Sequence, residues 1–255
     1  MSTTLSAPSS AATTEINVAG CRLHVARLGS GPPLLLLHQD TGMPDGQGFV
    51  EAMAESHEVL LPFHPGFGVS PRPDWMRSTR DLAVVYQALL AELGAARPVL
   101  VGLGFGGWVA AEMASMAPAA AHRLVLVGAM GIKPPTGDIM DQALVNYIEY
   151  ARAQFHDQSR FDAVYGAEPS TDQLEHWDIC REMCFRIAWK PYMYSQTLPH
   201  LLGGVKTPAL VVWGEQDHVV PLSAGQAYAA AIPGARLEVV PGCGHAVALE
   251  QPARL

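Results

Sequence analysis

The sequence is poor in charged residues, and the charge that it carries is mainly acidic. Charged residues make up 16% of its 255 residues, and 16 Lys and Arg stand against 24 Asp and Glu, for a formal net charge of -8. Proteins that bind nucleic acid or anionic membranes need a basic surface to neutralise phosphates. We therefore expect neither partner, and a small molecule is the expected substrate or ligand.

The sequence also lacks an obvious targeting or membrane-spanning segment. Residues 2–14 contain no Lys, no Arg and no long apolar run, so we expect no secretory signal there. The most apolar window, residues 98–121, is interrupted by four glycines and by Glu112, which favours a buried strand and helix over a membrane span. We predict a disordered tail over residues 1–14 and a cytoplasmic location.

Cysteine is scarce, with Cys21, Cys180, Cys184 and Cys243 as the four in the chain. An even number of cysteines suggests disulfides in a small exported protein, but this chain is large and shows no export signal. We predict that all four are reduced and mostly buried.

A metal site is the other use that cysteines could have. His176, Cys180 and Cys184 are spaced at i, i+4 and i+8, so they would share one face of a helix. Three side chains spread over about two turns do not easily meet at one ion. We predict no metal ligands and no cofactor.

Apolar patterning alternates between strand and helix over the first half of the chain. Residues 15–27 predict a hairpin, and the unbroken apolar run 34–37 is typical of a strand covered on both faces. The segments that follow alternate in type: helix 49–56, strand 59–62, helix 78–93, strand 99–103, helix 105–116 and strand 124–127. This alternation predicts an α/β fold with a parallel sheet and helices on both faces.

The pattern changes between residues 133 and 205, where only helical windows occur, such as 138–155 and 170–189. Alternation then resumes with strand 209–213, helix 222–231 and strand 236–240. We therefore divide the chain into a core at residues 15–132 and 206–255 and a helical cap inserted at residues 133–205. Because the sequence ends at Leu255, soon after the last strand, we expect the final helix to be short or absent.

Four loops at predicted strand ends carry glycine-rich or polar motifs. They are Gly102-Leu103-Gly104-Phe105-Gly106-Gly107, Trp213-Gly214-Glu215-Gln216-Asp217, Gly242-Cys243-Gly244-His245 and His38-Gln39. In kind and order they resemble loops of the α/β-hydrolase family, whose nucleophile elbow is G-x-S-x-G-G. The resemblance covers nearly all of residues 15–255. It implies the α/β-hydrolase fold, with a mostly parallel sheet, helices on both faces and an inserted helical cap.

The chain departs from the family pattern at the nucleophile. Gly104 stands where the family has serine, and glycine can neither attack a carbonyl carbon nor hold an acyl group. The resemblance implies that His245 is the catalytic histidine and that Asp217 orients it. It also implies that the backbone N–H groups of Phe105 and Gln39 form an oxyanion hole.

Other residues are candidates for the surroundings of the site. We predict that His38, Asp40, Trp108 and Trp177 line the substrate pocket. Asp40 could be a second acid or base there, although capping of its own loop is the favoured interpretation. His64 lies in a loop that resembles the family's D-x-P-G-x-G segment, and we interpret it as structural rather than catalytic.

Three functions fit these residues. The first is an enzyme for a small, apolar or aromatic substrate that uses His245 as a general base, in hydrolysis or in lyase-type chemistry, without a covalent serine intermediate. The second is a non-catalytic ligand-binding protein that keeps the pocket. The third is a serine hydrolase inactivated at residue 104, naturally or by design. We favour the first, in a monomer or a homodimer.

Overall fold

The computed structural model describes residues 12–43 and 48–255. Within these residues the chain forms one eight-stranded sheet and nine α-helices. The strands are β1 Ala12–Val18, β2 Cys21–Leu28, β3 Pro33–Leu37, β4 Glu58–Pro62, β5 Val99–Leu103, β6 Arg123–Val127, β7 Ala209–Gly214 and β8 Arg236–Val240. The helices are α1 Gly48–Ala54, α2 Thr79–Glu92, α3 Phe105–Met116, α4 Tyr147–Ala153, α5 Gln158–Tyr165, α6 Thr171–Ile187, α7 Leu198–Leu201, α8 Leu222–Ala231 and α9 Val247–Glu250.

The sheet has the order β1-β2-β4-β3-β5-β6-β7-β8. The pairs β1–β2 and β2–β4 are antiparallel, and the pairs from β4–β3 through to β7–β8 are parallel. The predicted fold class is therefore confirmed. Because the strands from β3 onward run the same way, the loops that follow them meet at one edge of the sheet, where ligands bind in open α/β folds.

Central strand β3 shows why a run of consecutive leucines suits this sheet. Leu35 and Leu37 pack into the apolar core on one face, whereas Leu34 and Leu36 pack into the core on the other. Side chains alternate between faces along a strand, so a strand covered on both sides needs apolar residues at every position.

The segment between β6 and β7 holds four of the helices, α4 to α7. Helix α6 falls within the predicted window 170–189, but the prediction for 138–155 is wrong over its first half, since α4 begins only at Tyr147. Asn146 caps that helix by accepting a hydrogen bond from the Glu149 N–H, which fixes its start. Helix α5, capped in the same way by Asp157, was not among the predicted windows.

The structure also bears on the chain ends and the cysteines. Residues 1–11 of the predicted tail lie outside the described residues, and the prediction is wrong at its end because Thr13 and Thr14 pair with β2. The last helix, α9, is four residues long.

All four cysteines are free and buried, as predicted. None of the helices in the described ranges combines the length and the apolar character needed to cross a bilayer.

Candidate active site

Gly104 forms a sharp turn between the end of β5 and the start of α3. Its backbone has φ +50° and ψ -113°, a conformation that side-chain-bearing residues adopt only under strain. Hydrogen bonds hold the turn on both sides, from Gly104 N–H to the Val127 carbonyl and from Met130 N–H to the Gly104 carbonyl, 2.9 and 3.0 Å. The turn is therefore fixed by β6 and the loop after it.

Three side chains converge where residue 104 would carry a Cβ atom. A Cβ built on Gly104 would lie 3.1 Å from His245 Nε2, 3.2 Å from Gln39 Cβ and 3.3 Å from Asp40 Oδ1. We call this position the Cβ point of residue 104. His245 Nε2 and Asp40 Oδ1 are both buried and have no hydrogen-bond partner among the described residues. A small group near this point would therefore reach two buried polar atoms.

His245 and Asp217 lie in direct contact at the ends of the loops after β8 and β7. His245 Nδ1 is 2.8 Å from Asp217 Oδ2, and both side chains are almost completely buried. The other carboxylate oxygen of Asp217 accepts hydrogen bonds from the Val219 and Val220 N–H groups, at 2.9 and 2.8 Å. The carboxylate is thus fixed in place, and its partner nitrogen on His245 is a donor, which leaves Nε2 as the acceptor.

The electrostatics of His245 reflect opposing effects. Burial lowers its pKa, but the negative charge of Asp217, the hydrogen bond to it and the charge of Asp40 outweigh burial and raise the pKa above its usual value. A raised pKa makes the imidazole a stronger base than a free histidine.

The two predicted oxyanion-hole amides flank the same region. Phe105 is the first residue of α3, so its N–H has no carbonyl within the helix to bond. Gln39 lies two residues beyond β3, and its side chain is held away by Thr41 Oγ1 and Gln154 Oε1, at 2.9 and 3.1 Å. Their role in binding an oxyanion stays a prediction.

A scan against protein-family models matches residues 34–255 to the alpha/beta hydrolase family. The chain belongs to the α/β-hydrolase family. Similar proteins include the 2-hydroxymuconate semialdehyde hydrolase of Pseudomonas sp. strain CF600, 26% identical over 94% of this chain and 89% of that protein. Another is the 2-hydroxy-6-oxononadienedioate/2-hydroxy-6-oxononatrienedioate hydrolase of Paraburkholderia phymatum, 29% identical over 88% and 84% of the two chains.

Solved structures show the same fold. A meta-cleavage product hydrolase from Pseudomonas fluorescens IP01 superposes with a TM-score of 0.77 and 24% identity, over 94% of this chain and 93% of that one. The relatives named here are hydrolases. In this α/β-hydrolase Gly104 occupies the turn between β5 and α3.

The predicted pocket residues of this α/β-hydrolase do not all line a pocket. Asp40 and Trp177 do, and they share a narrow cavity with Thr41, Gln142, Tyr147, Tyr150 and Arg181. The indole N–H of Trp177 is buried without a hydrogen-bond acceptor among the described residues. Trp108 instead points into the core, where its indole N–H donates to Glu112 at 3.3 Å, because it lies on the face of α3 that packs over Gly131.

His38 and His64 lie beneath the site and are engaged in structural contacts. The His38 ring bonds the Gln39 carbonyl through Nδ1 and accepts from the His64 N–H through Nε2, at 2.8 and 2.9 Å. His64 in turn contacts the Tyr86 hydroxyl and the His38 carbonyl. Both nitrogens of His38 are therefore occupied, and the prediction that it faces a substrate is not supported by this geometry. His64 is structural, as we interpreted it.

Cys180 is the one cysteine of the candidate metal group that contacts His176, with Sγ 3.3 Å from Nε2. Burial lowers the pKa of His176 to about 4 and raises that of the Cys180 thiol, so both are neutral. No cluster of three or more His, Cys, Asp or Glu side chains suited to a metal occurs in residues 12–43 and 48–255.

The inserted segment between β6 and β7 contributes residues that sequence reasoning missed. Tyr150 and Gln142 bond Asp40, and Gln154 bonds Gln39 and Thr41. These partners are separated by more than a hundred positions along the chain, so no local motif links them. The only signal that could have indicated these contacts is the need of buried polar atoms in the core loops for partners, and which atoms are buried becomes known only from the folded structure.

Proposed function

We propose that this chain is an enzyme that acts on a small, apolar or aromatic molecule with His245 as general base and without a covalent serine intermediate. One observation carries the proposal: His245, bonded to Asp217 through Nδ1, directs a buried and unpaired Nε2 to the Cβ point of residue 104. In a serine hydrolase the Cβ of the nucleophile would lie there and its oxygen one bond beyond. Here the same space suits a water molecule or a substrate atom.

The charges of His245 and Asp217 determine which proton transfers this site can carry out. His245 Nε2 takes a proton from water, the water oxygen adds to an electrophilic carbon, and the backbone N–H groups of Phe105 and Gln39 stabilise the oxyanion that forms. Asp217 then compensates the charge of the imidazolium. In lyase-type chemistry the same nitrogen would take the proton from the substrate. Neither route needs a cofactor.

The lining of the narrow cavity supports a substrate with an aromatic or apolar part, because Trp177, Tyr147 and Tyr150 line it. Its volume of about 10 Å³ has room for about one water molecule, so the inserted segment must move to admit a substrate. A groove of about 490 Å³ between the ends of α2, α3 and β5 is larger, but it lies at the amino ends of the parallel strands, away from His245. The names of the relatives refer to small organic molecules, which supports the same class. We further propose a cytoplasmic monomer or homodimer that binds neither nucleic acid nor membranes.

Substitution of the dyad tests the proposal. With an aryl ester such as 4-nitrophenyl acetate as probe, His245→Gln should lower kcat/KM about 100-fold or more, the usual contribution of a general base. Asp217→Asn should lower it as well, because the amide cannot stabilise an imidazolium. His122→Gln, at an exposed histidine, is the matched control. Equal turnover by wild type and His245→Gln would refute the assigned base.

A further inference from the structure

Asp40 is held in one orientation by two residues of the inserted segment, Tyr150 on α4 and Gln142 in the turn before it. Its Oδ2 accepts a hydrogen bond from the Tyr150 hydroxyl at 2.7 Å and another from Gln142 Nε2 at 3.0 Å. The other oxygen, Oδ1, faces the Cβ point of residue 104 and has no partner in the described part of the chain. The side chain is 1% exposed, so this orientation is not an averaged surface conformation. A residue that only caps its loop would not direct an unpaired oxygen at the site.

This arrangement determines where a proton on Asp40 would reside. Tyr150 and Gln142 both donate to Oδ2, so that oxygen acts as acceptor and the free oxygen, Oδ1, is the one that can carry the proton. A proton on Oδ1 faces the same space as His245 Nε2. Protonated Asp40 Oδ1 is therefore a donor, and His245 Nε2 an acceptor, toward the same reacting group.

Burial favours the protonated form of Asp40. Burial raises the pKa of Asp40, opposed by the attraction of His245 and by the hydrogen bond from Tyr150, while Asp217 adds to the rise. The other titratable groups near Asp40 are Cys180 and Cys184 on α6, Tyr150 on α4, Tyr165 on α5, and Tyr192, and burial raises the pKa of each, so they are neutral. Arg181 lines the cavity without an ion pair or hydrogen bond to Asp40 among the described residues.

The adjacent oxyanion hole is a second reason to expect Asp40 in its protonated form. Asp40 follows Gln39, one of the two proposed oxyanion donors, and a carboxylate at this position would repel the developing negative charge. A neutral carboxyl group would not.

Building on the proposed function, we infer that Asp40 is the general acid of this site. His245 Nε2 takes the proton of the attacking water as the new C–O bond forms. When the tetrahedral intermediate collapses, the bond to the leaving group breaks and its electron pair takes the proton from Asp40 Oδ1. The proton on His245 then returns to Asp40 through a water molecule, so that one water is consumed and both groups regain their starting states. A catalytic acid and a catalytic base beside one reacting group is a common arrangement for hydrolysis at neutral pH.

The dependence on leaving group tests this role. Benzyl acetate releases an alcohol that must be protonated, whereas 4-nitrophenyl acetate releases a stable phenolate. Asp40→Asn should therefore lower kcat/KM for benzyl acetate about 100-fold or more and that for 4-nitrophenyl acetate less than about tenfold. Asp178→Asn, at an exposed position of α6, is the matched control. An equal loss for both esters, or no loss, would overturn the assignment.

A second measurement does not depend on turnover. Because the proposal has Asp40 protonated while His245 titrates, the isosteric and neutral side chain of Asp40→Asn should leave the His245 titration midpoint almost unchanged, followed by NMR of labelled histidine rings. His245→Gln identifies the signal. If wild type hydrolyses neither ester, the hydrolytic form of the proposed function fails; separately, a midpoint that Asp40→Asn lowers by about one unit would show that Asp40 is ionised beside His245 and would overturn its role as the acid.

Discussion

Residue 104 illustrates how one glycine both relaxes the backbone and removes a reactive group. Its φ of +50° strains any residue with a side chain, at a cost on the order of 1 kcal/mol or more. In a serine hydrolase this strain persists because the nucleophile is needed. Glycine removes the strain and leaves the neighbouring amides and His245 in position.

Covalent probes for serine hydrolases should not label this protein at residue 104. The nearest alternative nucleophile in sequence to His245 is Cys243, and burial together with the charge of Glu250 raises the pKa of its thiol to about 12. Its thiolate fraction at neutral pH is negligible, so it should react slowly as well. Intact-protein mass spectrometry after a fluorophosphonate probe, with peptide mapping of any labelled protein, checks both points. A labelled peptide containing Cys243 would contradict this expectation.

At the scale of the elements, the loop before His245 is connected to the inserted helices by Glu250 on α9. One oxygen of this buried carboxylate accepts from the Asp157 N–H at 2.6 Å, and the other accepts from the His156 and Gly244 N–H groups at 3.2 and 2.7 Å. Gly244 precedes His245 directly. The same carboxylate thus positions the loop that carries His245 and the start of α5.

Glu250→Ala should therefore destabilise the fold and reduce activity together. It leaves backbone donors without an acceptor, and we expect a loss of about 3 kcal/mol in the free energy of unfolding. Urea denaturation measures it, with Glu238→Ala at an exposed site of β8 as control. A loss no larger than that of the control would show that water replaces the carboxylate.

The close approach of α3 to β3 requires glycine in the elbow motif at a second position. A Cβ on Gly106 would lie 2.3 Å from the Leu37 carbonyl oxygen, closer than non-bonded atoms allow. Gly106→Ala should lower the free energy of unfolding by about 3 kcal/mol, because the helix must shift away from the sheet. Gly203→Ala, with open space around its Cβ, should change stability little. Similar denaturation midpoints for the two variants would show that the helix accommodates the extra methyl group without cost.

At the scale of the whole molecule, the sequence was sufficient for the sheet, because alternating apolar segments and glycine-rich loops are local signals. The contact of His245 with Asp217 could also be anticipated from the order of motifs. The arrangement of the inserted helices could not, because the bonds of Tyr150 and Gln142 to Asp40 join distant parts of the chain. Trp108 was assigned to the pocket because its position after the elbow motif does not show which face of α3 it occupies, and its side chain packs into the core.

Buried neutral histidines should make the stability of the molecule depend on pH. Burial lowers the pKa of His38 and of His176 to about 4, and lowers that of His64 as well. The unfolded chain binds protons at these residues near pH 6.5 and the folded protein does not, so stability falls as pH decreases from about 6.5 to about 4. His245 and Asp40, whose pKa values are raised, act in the opposite direction.

We expect the three histidines with lowered pKa values to determine the net change of stability with pH. His38 alone should contribute a decrease of about 2 kcal/mol in the free energy of unfolding between pH 7 and pH 5. Denaturant titrations at both pH values measure it, and His38→Gln should reduce the difference whereas the exposed His122→Gln should not. An unfolding free energy that is equal at both pH values would mean that the buried histidines do not control the acid sensitivity of the fold.

Gly104→Ser tests most directly whether the site works without a nucleophile at residue 104. A serine side chain would place its Cβ 3.1 Å from His245 Nε2 and 3.3 Å from Asp40 Oδ1, in the space proposed for the reacting water. The decisive measurement is kcat/KM for 4-nitrophenyl acetate and benzyl acetate in wild type and in Gly104→Ser, with intact folding of both verified by circular dichroism. We predict that wild type turns over the esters and that Gly104→Ser is slower. An inert wild type together with a Gly104→Ser variant that gains ester turnover by several orders of magnitude would show instead that this chain is a serine hydrolase inactivated at residue 104.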